Sequence, residues 1–244
     1  MEKVQFRSGS ATLDALMARP SGAGASPAIL LLPAIAGVNE YMEGVARRLS
    51  DLGYAVLLLD YYARTGHAPD VSTPEKIGAA VAALSDPEVL DDVAAAVAWL
   101  RERDDVDGAR IASFGFCIGG MYAFLAACRD LGLAAAVDYY GAIRYAATGP
   151  KKPVSPIDCV PKLAAPLLAH FGTFDRLISG EDIALFESAL QAHHKSYELF
   201  LYRGAPHAFD EDFRPAVYRP VAARLAWQRS LVFLDWHLRG RATR

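Results

Sequence analysis

Short, mostly apolar runs recur along the chain at Ala28–Pro33, Tyr54–Asp60, Arg110–Phe114, Ala134–Tyr140, Pro166–Phe171 and Tyr197–Tyr202. Runs of this length, bounded by turn residues, predict buried strands. Between them apolar residues fall at helical spacing. Tyr41, Val45, Leu49 and Leu52 share one face of a helix that Gly53 stops, and Val89, Val93, Val97 and Leu100 mark a helix from about Asp86 to Arg103. Further helices are predicted over Cys117–Arg129, Glu181–His194 and about Ala216–Arg239, the last carrying Trp227 and Trp236. Strands that are apolar on both faces must be covered on both faces, so the alternation predicts an α/β fold: a mostly parallel sheet between helix layers. Val4–Arg19 reads as an added hairpin or edge strand. Ala63–Thr73 and Ile143–Pro161 read as irregular, the second holding Gly149, Pro150, Pro153, Pro156 and Pro161. A loop of that length in a compact domain is usually functional.

Composition narrows the function classes. The chain has 244 residues, 53% hydrophobic and 22% charged, with a net charge of −3, the balance of a globular protein that one domain over residues 1–244 can accommodate. No basic stripe points to nucleic acid, and no polybasic segment points to an anionic membrane. The N-terminus mixes charge and polarity every few residues, unlike a signal peptide, and no apolar run approaches the roughly 20 residues of a membrane span. A cytoplasmic protein, monomeric or weakly dimeric, is the expectation. Cys117, Cys128 and Cys159 form no CxxC pair, so neither a disulfide framework nor a thiolate metal site is expected.

The stretch Gly115-Phe116-Cys117-Ile118-Gly119 carries the sharpest chemical signal. It lies where a predicted strand meets a predicted helix, the context of the nucleophile elbow of α/β-hydrolases, usually written G-x-S-x-G. Glycines leave room for the tight turn, and the helix N-terminus favours a thiolate and a later oxyanion. In that architecture an acid and a histidine follow, each on a loop after a strand. Asp175 follows the run ending at Phe171, and His207 follows the run ending at Tyr202. Cys117 would attack, His207 would carry the proton, and Asp175 would hold the imidazole tautomer. The Ile118 N–H is free to donate to the oxyanion.

These residues, with "LLPAIAGVNEY", "LLLDYYAR", "GFCIGG", "DYYGAI", "GTFDRLI" and "GAPHAF", resemble the dienelactone hydrolase family over nearly the whole chain. The resemblance implies an α/β-hydrolase fold, a triad at Cys117, Asp175 and His207, and an oxyanion hole from the N–H groups of Ile118 and Ile35. It also implies hydrolysis of a lactone or related ester with no metal or organic cofactor. Two positions depart from the family pattern. Where its well-studied members carry a Glu before the residue matching Ile35, this chain has Ala34, so Cys117 is expected to pair with His207 at rest and to be more thiolate-like. Where a carboxylate-binding Arg follows the catalytic His by four residues, this chain has Glu211, which argues against the same anionic substrate. Arg64, Arg144 and Arg176 are the candidate substitutes, each equally readable as a solvated or structural arginine, a reading favoured for Arg176. Phe116, Tyr140 and Phe209 flank the motifs and suggest an apolar or aromatic substrate. Thioester hydrolysis through the same acyl-enzyme, and a non-catalytic binding protein on this scaffold, are the competing readings.

Overall fold

A computed structural model describes residues 1–22 and 24–240. Eight strands form one sheet: β1 (Glu2–Ser8), β2 (Ala11–Ala18), β3 (Ser26–Leu32), β4 (Ala55–Leu59), β5 (Val106–Phe116), β6 (Ala135–Tyr139), β7 (Leu167–Gly172) and β8 (Tyr197–Tyr202), in the spatial order β1-β2-β4-β3-β5-β6-β7-β8. From β4 to β8 every pairing is parallel, and the β1–β2 hairpin joins β4 antiparallel. The burial patterns explain the difference. β4, β6 and β7 are buried at every position, whereas β1 alternates buried and exposed residues and has one bare face.

Six α-helices cover the sheet: α1 (Glu40–Asp51), α2 (Pro74–Ala83), α3 (Asp86–Arg101), α4 (Ile118–Ala127), α5 (Gly180–Ala192) and α6 (Pro220–Asp235). The pleat of β5 sorts two of them to opposite faces. Ser113 donates to the Ala123 carbonyl of α4 at 2.9 Å, while Phe114 meets Trp227 of α6 with ring centroids 6.2 Å apart. α4 is buried at every position, so it is a core element without a polar face. Among the described residues no helix is long and apolar enough to cross a membrane.

The predicted strands and the five predicted helices are present, with shifted ends. The last helix starts at Pro220 rather than near Ala216, because proline suits a first helical turn, and a π turn over Trp236–Gly240 follows Asp235. α2 had no assignment from periodicity. It buries only Ala80, so it has no apolar stripe to read, and it is set by the Thr73 cap and Pro74. The proline-rich segment contains a 3₁₀ helix, Pro156–Lys162, and is tied to the helix layer through Asp86. That buried carboxylate accepts from Lys152 Nζ at 2.5 Å, Tyr145 at 2.7 Å and Tyr122 at 2.9 Å. A buried charge that is paired and hydrogen-bonded in this way ties the segment to the helix layer.

Candidate active site

The turn after β5 is built by sterics. Cys117 has φ 56° and ψ −121°, a backbone conformation that costs energy outside glycine and is kept only where its surroundings enforce it. Its N–H donates to the Tyr139 carbonyl at 2.9 Å. A Cβ on Gly115 would lie 1.9 Å from the Gly119 carbonyl oxygen, and one on Gly119 would lie 2.2 Å from the Leu32 carbonyl oxygen. Both glycines are therefore required for α4 to sit against β3 and β5. Of the four non-glycine residues described with positive φ, three surround this point: Cys117, Tyr140 and Ala208.

Two further loops bring their side chains to the sulfur. Asp175 follows β7, has no exposed side-chain surface, and accepts on Oδ1 from the Leu177 and Ile178 N–H groups at 2.8 and 3.2 Å. Its Oδ2 lies 2.8 Å from His207 Nδ1, and His207 Nε2 lies 3.1 Å from Cys117 Sγ. The acid-to-imidazole spacing is set by backbone contact, since a Cβ on Gly172 would lie 2.1 Å from the Ala205 carbonyl oxygen. Burial acts to lower the His207 pKa, but negative charge at Cys117 and the bonds to Asp175 and Cys117 outweigh it and hold the pKa well above the ordinary value. This arrangement can move a proton from sulfur to imidazole and keep the imidazolium oriented.

The Ile118 and Ile35 N–H groups, expected from the sequence to form an oxyanion hole, sit on fixed backbone. Ile118 is the first residue of α4, so its N–H has no carbonyl one turn earlier to serve. The peptide between Ala34 and Ile35 is oriented by its carbonyl, which accepts from Gly37 N–H at 2.9 Å, and the Ile35 carbonyl accepts from Tyr62 at 2.7 Å.

Cys117, Asp175, His207 and Ile35 all line one cavity of about 1170 Å³, whose rim carries the exposed Phe174, Leu177 and Phe213. The residues singled out for substrate contact lie elsewhere. Arg64 points away to α3, donating to Asp92 at 3.2 Å and pairing with Glu88 at 3.4 Å beside Ser8. Arg144 is an exposed partner of Asp182 at 3.4 Å. Phe116, Tyr140 and Phe209 are 1% exposed or less and pack behind Cys117 and His207 rather than in the cavity wall. The Tyr140 ring stands edge-on to His207, centroids 5.0 Å apart. Each lies at a strand end or in a following turn where the pleat or a positive φ turns the side chain inward, which motif adjacency does not reveal.

The cavity's charged residues were read differently from the sequence. Arg176 lines it, with Arg214 and Arg219, and Glu211 is nearly buried, accepting from Arg214 at 2.7 Å. The Glu211 charge is thus compensated, and the mouth is cationic. Arg176 directly follows Asp175, and that adjacency to the acid was the available signal. Asp138, which the motif reading passed over, sits under the first turn of α4 and accepts from Gly141 N–H at 2.7 Å. Burial raises its pKa to about 7, against the lowering effects of the Gly141 bond and of His207.

Residues 13–238 match the family model described as "Dienelactone hydrolase family". The chain belongs to the dienelactone hydrolase family. It is a carboxylic ester or lactone hydrolase of that family, on an α/β-hydrolase fold. A Bradyrhizobium protein named "Probable 2-oxo-3-(5-oxofuran-2-ylidene)propanoate lactonase" is 43% identical over 243 residues, covering 100% of this chain and 97% of the relative. An Escherichia coli K12 protein named "Putative carboxymethylenebutenolidase" is 34% identical over 229 residues, covering 92% of this chain and 81% of the relative. The crystal structure of a "Putative Dienelactone Hydrolase" from Klebsiella pneumoniae superposes with a TM-score of 0.88 at 30% identity, covering 96% of this chain and 97% of that one.

Proposed function

We propose that the protein opens a carboxylate-bearing lactone through a Cys117–His207–Asp175 triad and an acyl-enzyme. The observation that carries this reading is the chain of contacts from Asp175 Oδ2 through His207 to Cys117 Sγ, 2.8 and 3.1 Å, at the floor of the cavity. The Cys117 sulfur attacks the lactone carbonyl carbon, and the carbonyl oxygen takes the negative charge facing the Ile118 and Ile35 N–H groups. Collapse breaks the ring C–O bond. The imidazolium of His207 gives its proton to the departing oxygen, which stays tethered to the acyl chain. Water, deprotonated by His207, then attacks the thioester carbon, the C–S bond breaks with its electron pair returning to sulfur, and the hydroxy acid leaves.

The anionic preference is supported by Arg176, Arg214 and Arg219 at the cavity, with Glu211 compensated by Arg214. It is also supported by the Bradyrhizobium relative, whose name specifies a propanoate lactone. The apolar rim of Phe174, Leu177 and Phe213 suits the flat carbon skeleton of such a ligand. The test is turnover of an anionic dienelactone, a neutral aryl lactone, p-nitrophenyl acetate and an acyl thioester by wild type and by Cys117→Ala. Cleavage fastest on the anionic lactone and lost in the variant is the expected result. Equal cleavage by the variant would overturn the nucleophile, and preference for the neutral lactone would overturn the substrate class.

A further inference from the structure

α6 carries on its outer face what a helix packed on a sheet normally turns inward. Between Val221 and Trp236 its exposed positions are Val221, Arg224, Leu225, Gln228, Val232 and Trp236. Such a face is ordinarily charged and polar. Four of these six side chains are instead large and apolar, exposed by 60% at Val221, 38% at Leu225, 69% at Val232 and 57% at Trp236. The backbone stays helical through Trp236. On helical geometry the four fall within about 60° of arc and run for about 23 Å, so they form one stripe rather than scattered surface residues. The central charge stands clear of it. The Arg229 guanidinium lies 3.9 Å from the centre of the Phe200 ring and donates to the Tyr202 hydroxyl at 3.0 Å, both on β8.

We infer that this stripe is the contact between two copies of the chain, related by a two-fold axis that crosses α6 between Gln228 and Arg229. The spacing of the stripe decides the partner. A two-fold contact must be self-complementary, residue i meeting j while j meets i. Two antiparallel α6 helices centred between Gln228 and Arg229 set Val221 against the partner's Trp236 and Leu225 against the partner's Val232, and the same pairs recur beyond the axis. All four apolar side chains are covered in that one register. A stripe that received an unrelated protein would need no such symmetry. The charges beside it agree. Arg224 is exposed and lies on the same flank of α6 as Asp235, whose carboxylate accepts from Tyr54 at 2.7 Å and from Arg239 at 2.8 Å. Like flanks meet in an antiparallel two-fold pair, so each Arg224 comes within half a turn of the partner's Asp235. The seam is one helix wide, at or below the lower end of the ~1,200–2,000 Å² of stable complexes, and a dissociation constant in the micromolar range is expected.

The test is sedimentation velocity of the full chain over about 1–200 μM, a range that brackets the expected affinity, with Val232→Glu run beside wild type. Wild type is expected to pass from monomer to dimer across that range, and its tryptophan emission to shift to the blue as Trp236 leaves water. Val232→Glu sets a carboxylate from each protomer in the apolar seam and is expected to raise the dissociation constant by about a hundredfold or more. Val232 is exposed and lies outside the cavity, so the variant keeps wild-type turnover and melting temperature, which separates a lost contact from a lost fold. Gln228→Cys stands beside the axis and is expected to join two chains by a disulfide under oxidised glutathione, while Ser188→Cys, exposed on α5, is not. A wild type that stays monomeric over the whole range would overturn the inference and leave the stripe to a partner of another kind. A dimer that Val232→Glu leaves intact would refute it as well, by placing the contact on another surface. A dimer sensitive to Val232→Glu that Gln228→Cys fails to cross-link would overturn the antiparallel register.

Discussion

Replacing Asp138 by asparagine tests how the sheet end beneath the nucleophile turn is held together. The side chain is 3% exposed, and the one bond recorded for its carboxylate is the Gly141 N–H at 2.7 Å. Burial moves the pKa from 3.8 to about 7. A carboxyl whose folded pKa is raised binds its proton more tightly when folded. Below about pH 4 both states are protonated and nothing is lost. As pH rises from 4 to 7 the unfolded chain ionises first, and stability falls. Above 7 the loss is complete. A shift of about three units corresponds to an upper bound of ~4 kcal/mol, and the cost of leaving the new amide N–H₂ incompletely bonded, about 1–3 kcal/mol, reduces the expected gain to ~2 kcal/mol. Asparagine keeps the carbonyl that Gly141 bonds and carries no titrating proton. Thermal melts at pH 4, 6 and 8 should show the variant about 4–8 °C below wild type at pH 4, where both side chains are neutral and only the ~2 kcal/mol amide cost counts. At pH 8 it should melt about 4–8 °C above wild type, the equivalent of ~2 kcal/mol for a chain of this size. A displacement that is the same at all three pH values, or a wild type more stable at pH 8, would refute the reasoning.

Asp175→Asn places an amide against His207 Nδ1 and selects the wrong imidazole tautomer, so kcat should fall by roughly 10³–10⁴, and a loss below tenfold in steady-state assays would contradict the assigned role. Arg176→Ala should raise KM for an anionic lactone about tenfold and leave a neutral one unchanged, measured side by side. His170 is fully buried between Ser230 and Tyr202, and burial first, with Arg229, lowers its pKa to about 3. The folded state therefore refuses a proton that the unfolded chain accepts. Stability should be lost as pH falls from 6.5 toward 3, at up to about 1.4 kcal/mol per unit, and denaturant titrations of His170→Asn should show a shallower acid limb. Gly119→Ala should abolish soluble folded protein or activity, because its Cβ has 2.2 Å to the Leu32 carbonyl oxygen, and a fully active variant by circular dichroism and assay would disprove that packing requirement.

The layers of this fold are legible in the sequence because burial on two faces leaves uninterrupted apolar runs such as Ala55–Leu59 and Leu167–Gly172. The positions of Cys117, Asp175 and His207 are legible for the same reason, since each follows such a run. Substrate contacts are not. Arg64 and Arg176 look alike in sequence, yet one is bound to Asp92 across a helix and the other lines the cavity, a difference made by partners 28 residues away. Tyr140 shares a motif with the site but is turned under it by a positive φ that no residue type announces. Asp138 reads as one polar residue in an apolar strand, which marks burial without naming the neighbours that decide its charge. α2 was passed over because a helix with one buried residue has no stripe.

The order in which the chain is made gives the turn at Cys117 a timing. β3, β5 and α4 must all be in contact before that turn can exist, and Asp175 and His207 come from the last third of the sequence. On the ribosome, Cys117 emerges long before the imidazole that would activate it. Until β7 and β8 have joined the sheet, Cys117 lacks its contact with His207 and, through it, Asp175. On the proposed reading of Cys117, its activation thus waits on the last strands to join the sheet.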